Sequence, residues 1–281
     1  MERASQLHLS FELNTRGATI LRVKTQQPPW RVLRGFDAPS GEKLAHVHNV
    51  SGGILDTDAL EWRVDLADRT QAQLTSTGAT RLYRSRSSDR VATQRAVVKL
   101  GKDSFFEYLP DQIIPFRGSR FAQTTRVELA PGASLIWWEM IAPGRDASGD
   151  TFGYESLSSS FEVSAAGEPV AIERWHIAPR ERPLESIARL GPYRYFASCY
   201  VCRASEAAPD WRTFETHLQS LADERSGADV KWGVTSLRSH GLVIRGVAMS
   251  GRALWDGLVE FWRAAKWSLC GRVATLPRKV Y

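Results

Sequence analysis

The sequence predicts a mainly β protein with two α-helices in its C-terminal third. Three observations predict it. Apolar and polar residues alternate with a period of two through much of the chain, Gly- and Pro-containing turns break that alternation into short runs, and a helical period occurs only twice, late.

The first run, SQLHLSFELNT, puts Leu7, Leu9, Phe11 and Leu13 on one face and His8, Ser10 and Glu12 on the other. LEWRVDL repeats the pattern with Leu60, Trp62, Val64 and Leu66, as expected of half-buried strands. Further strand-like runs follow in ATRLYRS, SFFEYL, FAQTTRVEL, SLIWWEMIA, VAIERWHI and RYFASCYVC. Arg16-Gly17, Pro131-Gly132 and Gly191-Pro192 mark turns between them. The first helix is expected in PDWRTFETHLQSLADE, with Trp211, Phe214, Leu218 and Leu221 on one face and Asp210 as N-cap. The second is expected in SGRALWDGLVEFWRAAKWSLCG. Its stripe is Leu254, Leu258, Phe261, Trp262, Ala265 and Leu269, with Ser250 capping its start and Gly271 ending it. No repeat, low-complexity tract or linker divides the chain, so residues 1–281 read as one domain.

Composition removes several function classes. At 281 residues and 43% apolar, the chain can bury a substantial core. The opening MERASQLHLSFELN lacks the apolar core of a signal peptide. No apolar run approaches the roughly 20 residues that span a bilayer, so the expectation is a cytosolic protein with no membrane partner. The net charge of +6 comes from 37 basic residues interspersed among 31 acidic ones with no dominant block of like charge, a surface that suits an acidic partner protein as readily as a phosphate backbone, and no nucleic-acid partner is expected.

Local motifs are weak. Cys199 and Cys202 form a C-x-x-C, but in a strand residues three apart face opposite sides, and no second pair completes a zinc site. They read as small buried apolar groups. His46 and His48 share a face if LAHVHNV is a strand, either as nitrogen ligands of a metal-binding module or as polar positions on a solvent face. Gly52-Gly53 suits a turn or bulge. There is no G-x-x-x-x-G-K-[ST], no G-x-S-x-G and no H-E-x-x-H, so the chain should not hydrolyse nucleotides by itself. Glu107, Asp111, Glu139, Glu155, Glu162 and Glu173 leave open a β-rich hydrolase using two carboxylates.

Six segments in order resemble the urease accessory protein UreD family, called UreH in some systems. They are NVSGGILDTDAL at 49–60, LTSTGATRLYR at 74–84, FEYLPDQIIPFRGSR at 106–120, WWEMIAPGRDASGD at 137–150, IERWH at 172–176 and LPRKVY at 276–281. The resemblance implies layered, helically wound, β-helix-like sheets with a pair of helices. It implies a chaperone without catalysis of its own, acting with the F and G accessory proteins on urease apoprotein. GTP is hydrolysed by the G partner, no cofactor is tightly bound, and nickel(II) passes through an acid-lined interior. Carboxylates and water hold a divalent ion weakly enough for exchange. By motif, Asp58, Glu139 and Glu173 are the expected transient nickel ligands, with His176 a further position. The bland role for each acid is a carboxylate satisfied by hydrogen bonds or by an arginine such as Arg145 or Arg174. The chain departs from the pattern where Asn49, Val50-Ser51 and Asp56-Thr57 replace the family's His, Pro-Pro and second Gly pair, and where Asp150 stands for a common Glu.

Overall fold

The computed structural model describes residues 4–87, 89–204 and 211–276. Within them the chain passes back and forth between two sheets. The first sheet has seven strands, in the order Glu168–Ile177, Ser156–Ala165, Arg120–Leu129, Ala92–Leu100, Ala59–Leu66, Ser5–Leu13 and Thr19–Gln26. The second has eleven, its main path running Val230–Ser236, Gly241–Ala248, Tyr195–Arg203, Ser134–Ile141, Phe105–Tyr108, Gln71–Ser76, Lys43–Asn49 and Trp30–Arg31. Between residues 43 and 165 every second long strand belongs to the same sheet and pairs parallel with the one before it.

In-register parallel pairing stacks like positions into rungs that cross the strands. In the first sheet Val64, Val98, Val127 and Val163 form one rung, and Leu66, Leu100, Leu129 and Ala165 another. All eight are buried against the second sheet. Parallel sheets are usually covered on both faces. Here the outer face is held in water by charges, including the cross-strand pairs Lys24–Glu12 at 2.9 Å and Lys99–Glu128 at 3.4 Å and the same-strand pair Arg63–Asp65 at 2.7 Å. That one-sided burial is why the alternation is so clear in SQLHLSFEL and LEWRVDL.

The second sheet is buried on both sides. Its far face carries a second core built with helices α1 (Trp211–Arg225) and α2 (Gly251–Cys270). Phe214 and Leu218 of α1 pack there, as does the whole expected stripe of α2. Ser250 caps α2 by accepting a hydrogen bond from the Ala253 N–H, and Gly271 ends it at φ 64°. Asp210, expected to cap α1, lies outside the described residues. Among the described residues, no helix is long and apolar enough to cross a membrane.

Cys199 and Cys202 do face opposite ways, one into each core. Burial pushes the Cys202 thiol up to about 12 and the Cys199 thiol up as well, as expected of inert packing groups. The solvent-face reading of the histidine pair is corrected at His46. It is buried at 6% exposure with its ring edge-on to Phe36, because the second sheet has no free outer face there.

Candidate interior passage between the sheets

Between the two sheets the apolar rungs give way to polar ones. In the first sheet Gln94, Gln123 and Ser159 occupy one rung, directly following Leu60 across the strands. In the second sheet Glu139, Ser198 and Arg245 occupy another. The two rungs face each other and leave space between them.

A cavity of about 220 Å³ runs along this space, lined by Gln94, Gln123, Thr125, Asp111, Glu139 and the aromatic rings of Trp30, Trp62, Tyr108 and Trp137 among others. Trp62 and Trp137 lie parallel at 5.9 Å, and Tyr108 packs on Trp137 at 4.1 Å, so this wall is rigid. Gly52 and Gly53 lie at its edge. Gly52 takes φ 76°, and a Cβ on Gly53 would come within 2.5 Å of the Tyr83 ring, so both glycines are required by the backbone. A second, smaller chamber of about 20 Å³ continues beyond, bounded by Glu139, Ser159, Glu173, Ser198 and Tyr200 together with aromatic rings.

Glu139 belongs to both spaces. Its carboxylate accepts a 2.7 Å hydrogen bond from the Gln123 amide, which also reaches Ser159 Oγ at 3.2 Å. Burial pushes the Glu139 carboxyl up to about 7. The hydrogen bond from Gln123 and the more distant Trp137 indole oppose that rise, and repulsion from Glu173 adds to it. Burial and the nearby Glu139 charge also hold the Tyr108 hydroxyl protonated, far above its usual range. Glu173 has a counter-ion, Arg245 at 3.3 Å.

The expected site residues therefore divide. Glu139 and Glu173 meet at the small chamber. Asp58 lies apart from both spaces: its carboxylate accepts the Leu55 N–H at 2.9 Å and so closes the turn that follows Gly52-Gly53. His176 projects from the exposed outer face, where its Nδ1 is 2.8 Å from Ser158 Oγ, since residues three apart on the Glu168–Ile177 strand point to opposite sides. The arginines expected to satisfy these acids act elsewhere. Arg145 lies 3.6 Å from the buried Asp150, and Arg174 is exposed. His46 and His48 point away from the cavity, which the alternate residues Val47 and Asn49 line. Among the described residues, no group of three or more His, Cys, Asp or Glu side chains is placed to hold a metal ion. The passage instead offers isolated carboxylate, amide and hydroxyl oxygens in sequence.

A family model described as the UreD urease accessory protein matches residues 3–281. The chain belongs to the UreD family. Similar proteins bear the name "Urease accessory protein UreD". That of Herpetosiphon aurantiacus is 39% identical over 276 residues, covering 98% of this chain and 96% of the relative. That of Actinobacillus pleuropneumoniae serotype 7 is 30% identical over 247 residues, covering 87% and 90%. That of Marinobacter nauticus is 29% identical over 290 residues, covering 98% and 91%.

The UreD-like segments fall around the passage. NVSGGILDTDAL forms the loop at the cavity edge, FEYLPDQIIPFRGSR supplies Tyr108 and Asp111, and WWEMIAPGRDASGD supplies Trp137 and Glu139. LPRKVY lies outside the described residues apart from Leu276. Gln123, Ser159 and Ser198 escaped the sequence reading because each is an ordinary polar residue within a strand. Only the pairing registers put them on one line. Asp150, in contrast, is a structural acid, accepting the Arg117 N–H at 3.0 Å and pairing with the Arg117 side chain at 3.1 Å.

Proposed function

We propose that this UreD-family chain is a chaperone of urease maturation whose inter-sheet passage carries nickel(II) toward the urease apoprotein. The observation that supports this reading above others is Glu139, a half-buried carboxylate without a basic partner among the described residues, shared by two adjoining polar spaces. A carboxylate held that way accepts a passing divalent ion and gives it up again, because apart from Glu173 its neighbours are neutral amides and hydroxyls that bind weakly. Glu173 is the second carboxylate on the path. Asp58 shapes the loop at the edge of the cavity. The chain acts with the F and G accessory proteins, and the G partner hydrolyses GTP. The chain carries no phosphate-binding loop of its own and takes nickel as cargo, not as a resident cofactor.

The test is nickel loading of urease in cells carrying the full set of accessory genes. Glu139→Gln should lower the nickel content and activity of urease roughly tenfold, the scale on which one tuning group acts at metal sites. Co-purification of the chain with its partners should be unchanged. Full nickel loading with Glu139→Gln would reject the passage. Loss of the complex would assign Glu139 to assembly instead.

A further inference from the structure

Side-chain contacts flank the small chamber on two sides. On the cavity side, the Gln123 amide ties Glu139 to Ser159. On the other side, Glu173 is held by Arg245, whose side chain is 55% exposed where the second sheet extends past the edge strand of the first. The space between measures about 20 Å³, room for one water-sized body. A fully hydrated divalent ion does not fit, so any ion that enters exchanges water for the oxygens on the walls. Those oxygens are two carboxylates and the hydroxyls of Ser159, Ser198 and Tyr200. Tyr200 is 4% exposed, and its hydroxyl has no hydrogen-bond partner among the described residues, an arrangement that buried polar groups avoid unless something else occupies the space.

Two carboxylates converging on so small a space would hold a divalent cation firmly if nothing opposed them. Arg245 does oppose them. Its guanidinium lies behind the lining, 3.3 Å from Glu173, where it already neutralises that carboxylate and disfavours a second cation beside it. We propose that Arg245 is a release residue, which competes with the ion for Glu173 and so keeps the chamber's hold on a divalent cation weak enough for onward transfer. When the ion is in place, Arg245 swings to the solvent that already bathes it. When the ion leaves, Arg245 returns to Glu173, and the carboxylate is never left bare. This inference rests on the passage carrying nickel.

The experiment measures nickel(II) binding to the purified full-length chain by titration calorimetry, with urease activation in cells alongside. Arg245→Met keeps the length of the side chain and removes its charge. It should tighten nickel binding roughly three- to tenfold, given the modest strength of a half-exposed ion pair and the loss of one facing positive charge. Activation of urease should slow in parallel. Arg245→Lys, which restores the charge, should bring both back toward the parent. Glu173→Gln in the Arg245→Met background should abolish the gain. Unchanged or weaker nickel binding in Arg245→Met would overturn the release role while leaving the passage intact. Wild-type urease activation by Glu139→Gln, measured in the same series, would instead reject the passage itself.

Discussion

Glu107 and Glu139 stand on neighbouring strands of the second sheet, one facing the helices and the other facing the first sheet. Glu107 is fully buried, and every oxygen is engaged: Lys266 Nζ at 2.9 Å, Gln73 Nε2 at 2.9 Å and Trp262 Nε1 at 2.6 Å. Lys266, also with no exposed surface, lies 3.0 Å from a second buried acid, Glu42, and 3.3 Å from Ser40. It thus donates hydrogen bonds to Glu107 and Ser40 and forms an ion pair with Glu42. Burial still pushes the Glu107 carboxyl up, with Lys266 holding it down and Glu42 working against Lys266. Glu139 has one amide, a distant indole and a neighbouring carboxylate, with open space on two sides. A closed, compensated charge cluster joins parts of a fold. An under-compensated acid beside a cavity leaves room for something that comes and goes.

The Glu107 cluster yields the largest expected effect. Lys266→Met strands two buried acids and should cost about 3–5 kcal/mol in denaturant unfolding. A cost below about 1 kcal/mol would show that the cluster is not held by charge. From the passage side, the sign reverses. A folded-state pKa of about 7 against the ordinary 4.5 of a free glutamate means the folded chain binds more protons than the unfolded one between those values. Stability is therefore present at low pH and lost as pH rises through that window. Glu139→Gln should remove this loss, unfolding at higher denaturant than the parent at pH 8 by on the order of 2 kcal/mol and matching it at pH 4.5. A variant less stable than the parent at pH 8 would place Glu139 with Glu107 among the structural acids. The smallest effect belongs to Asp58. Asp58→Ala removes one turn hydrogen bond and should cost about 1 kcal/mol at any pH above the carboxylate range, as thermal unfolding will register.

The helices were legible from sequence because each presents one apolar stripe, and Ser250 and Gly271 mark the limits of α2. The first sheet was legible in SQLHLSFEL and LEWRVDL because water covers its other face. Strands buried on both sides were not. SLIWWEMI is almost continuously buried, so its period does not tell which way Glu139 points. The SLSSSFEVSA strand went unread because Ser159 stands at an inward position among Leu157, Phe161 and Val163. The residue that breaks the alternation is the one that lines the chamber. Lys266 lay next to the apolar stripe of α2, and nothing local marks it as the partner of Glu107, 159 positions earlier.

The distance along the chain between Lys266 and its acids has a consequence for biosynthesis. A ribosome delivers Glu42 and Glu107 long before it delivers residue 266, and neither acid meets this cation until α2 emerges. The sheets are able to stack as they are made, but the face meant for the helices carries two acids lacking their shared cation throughout synthesis. Charge compensation of that face is therefore a terminal event, which waits on the last turns of α2.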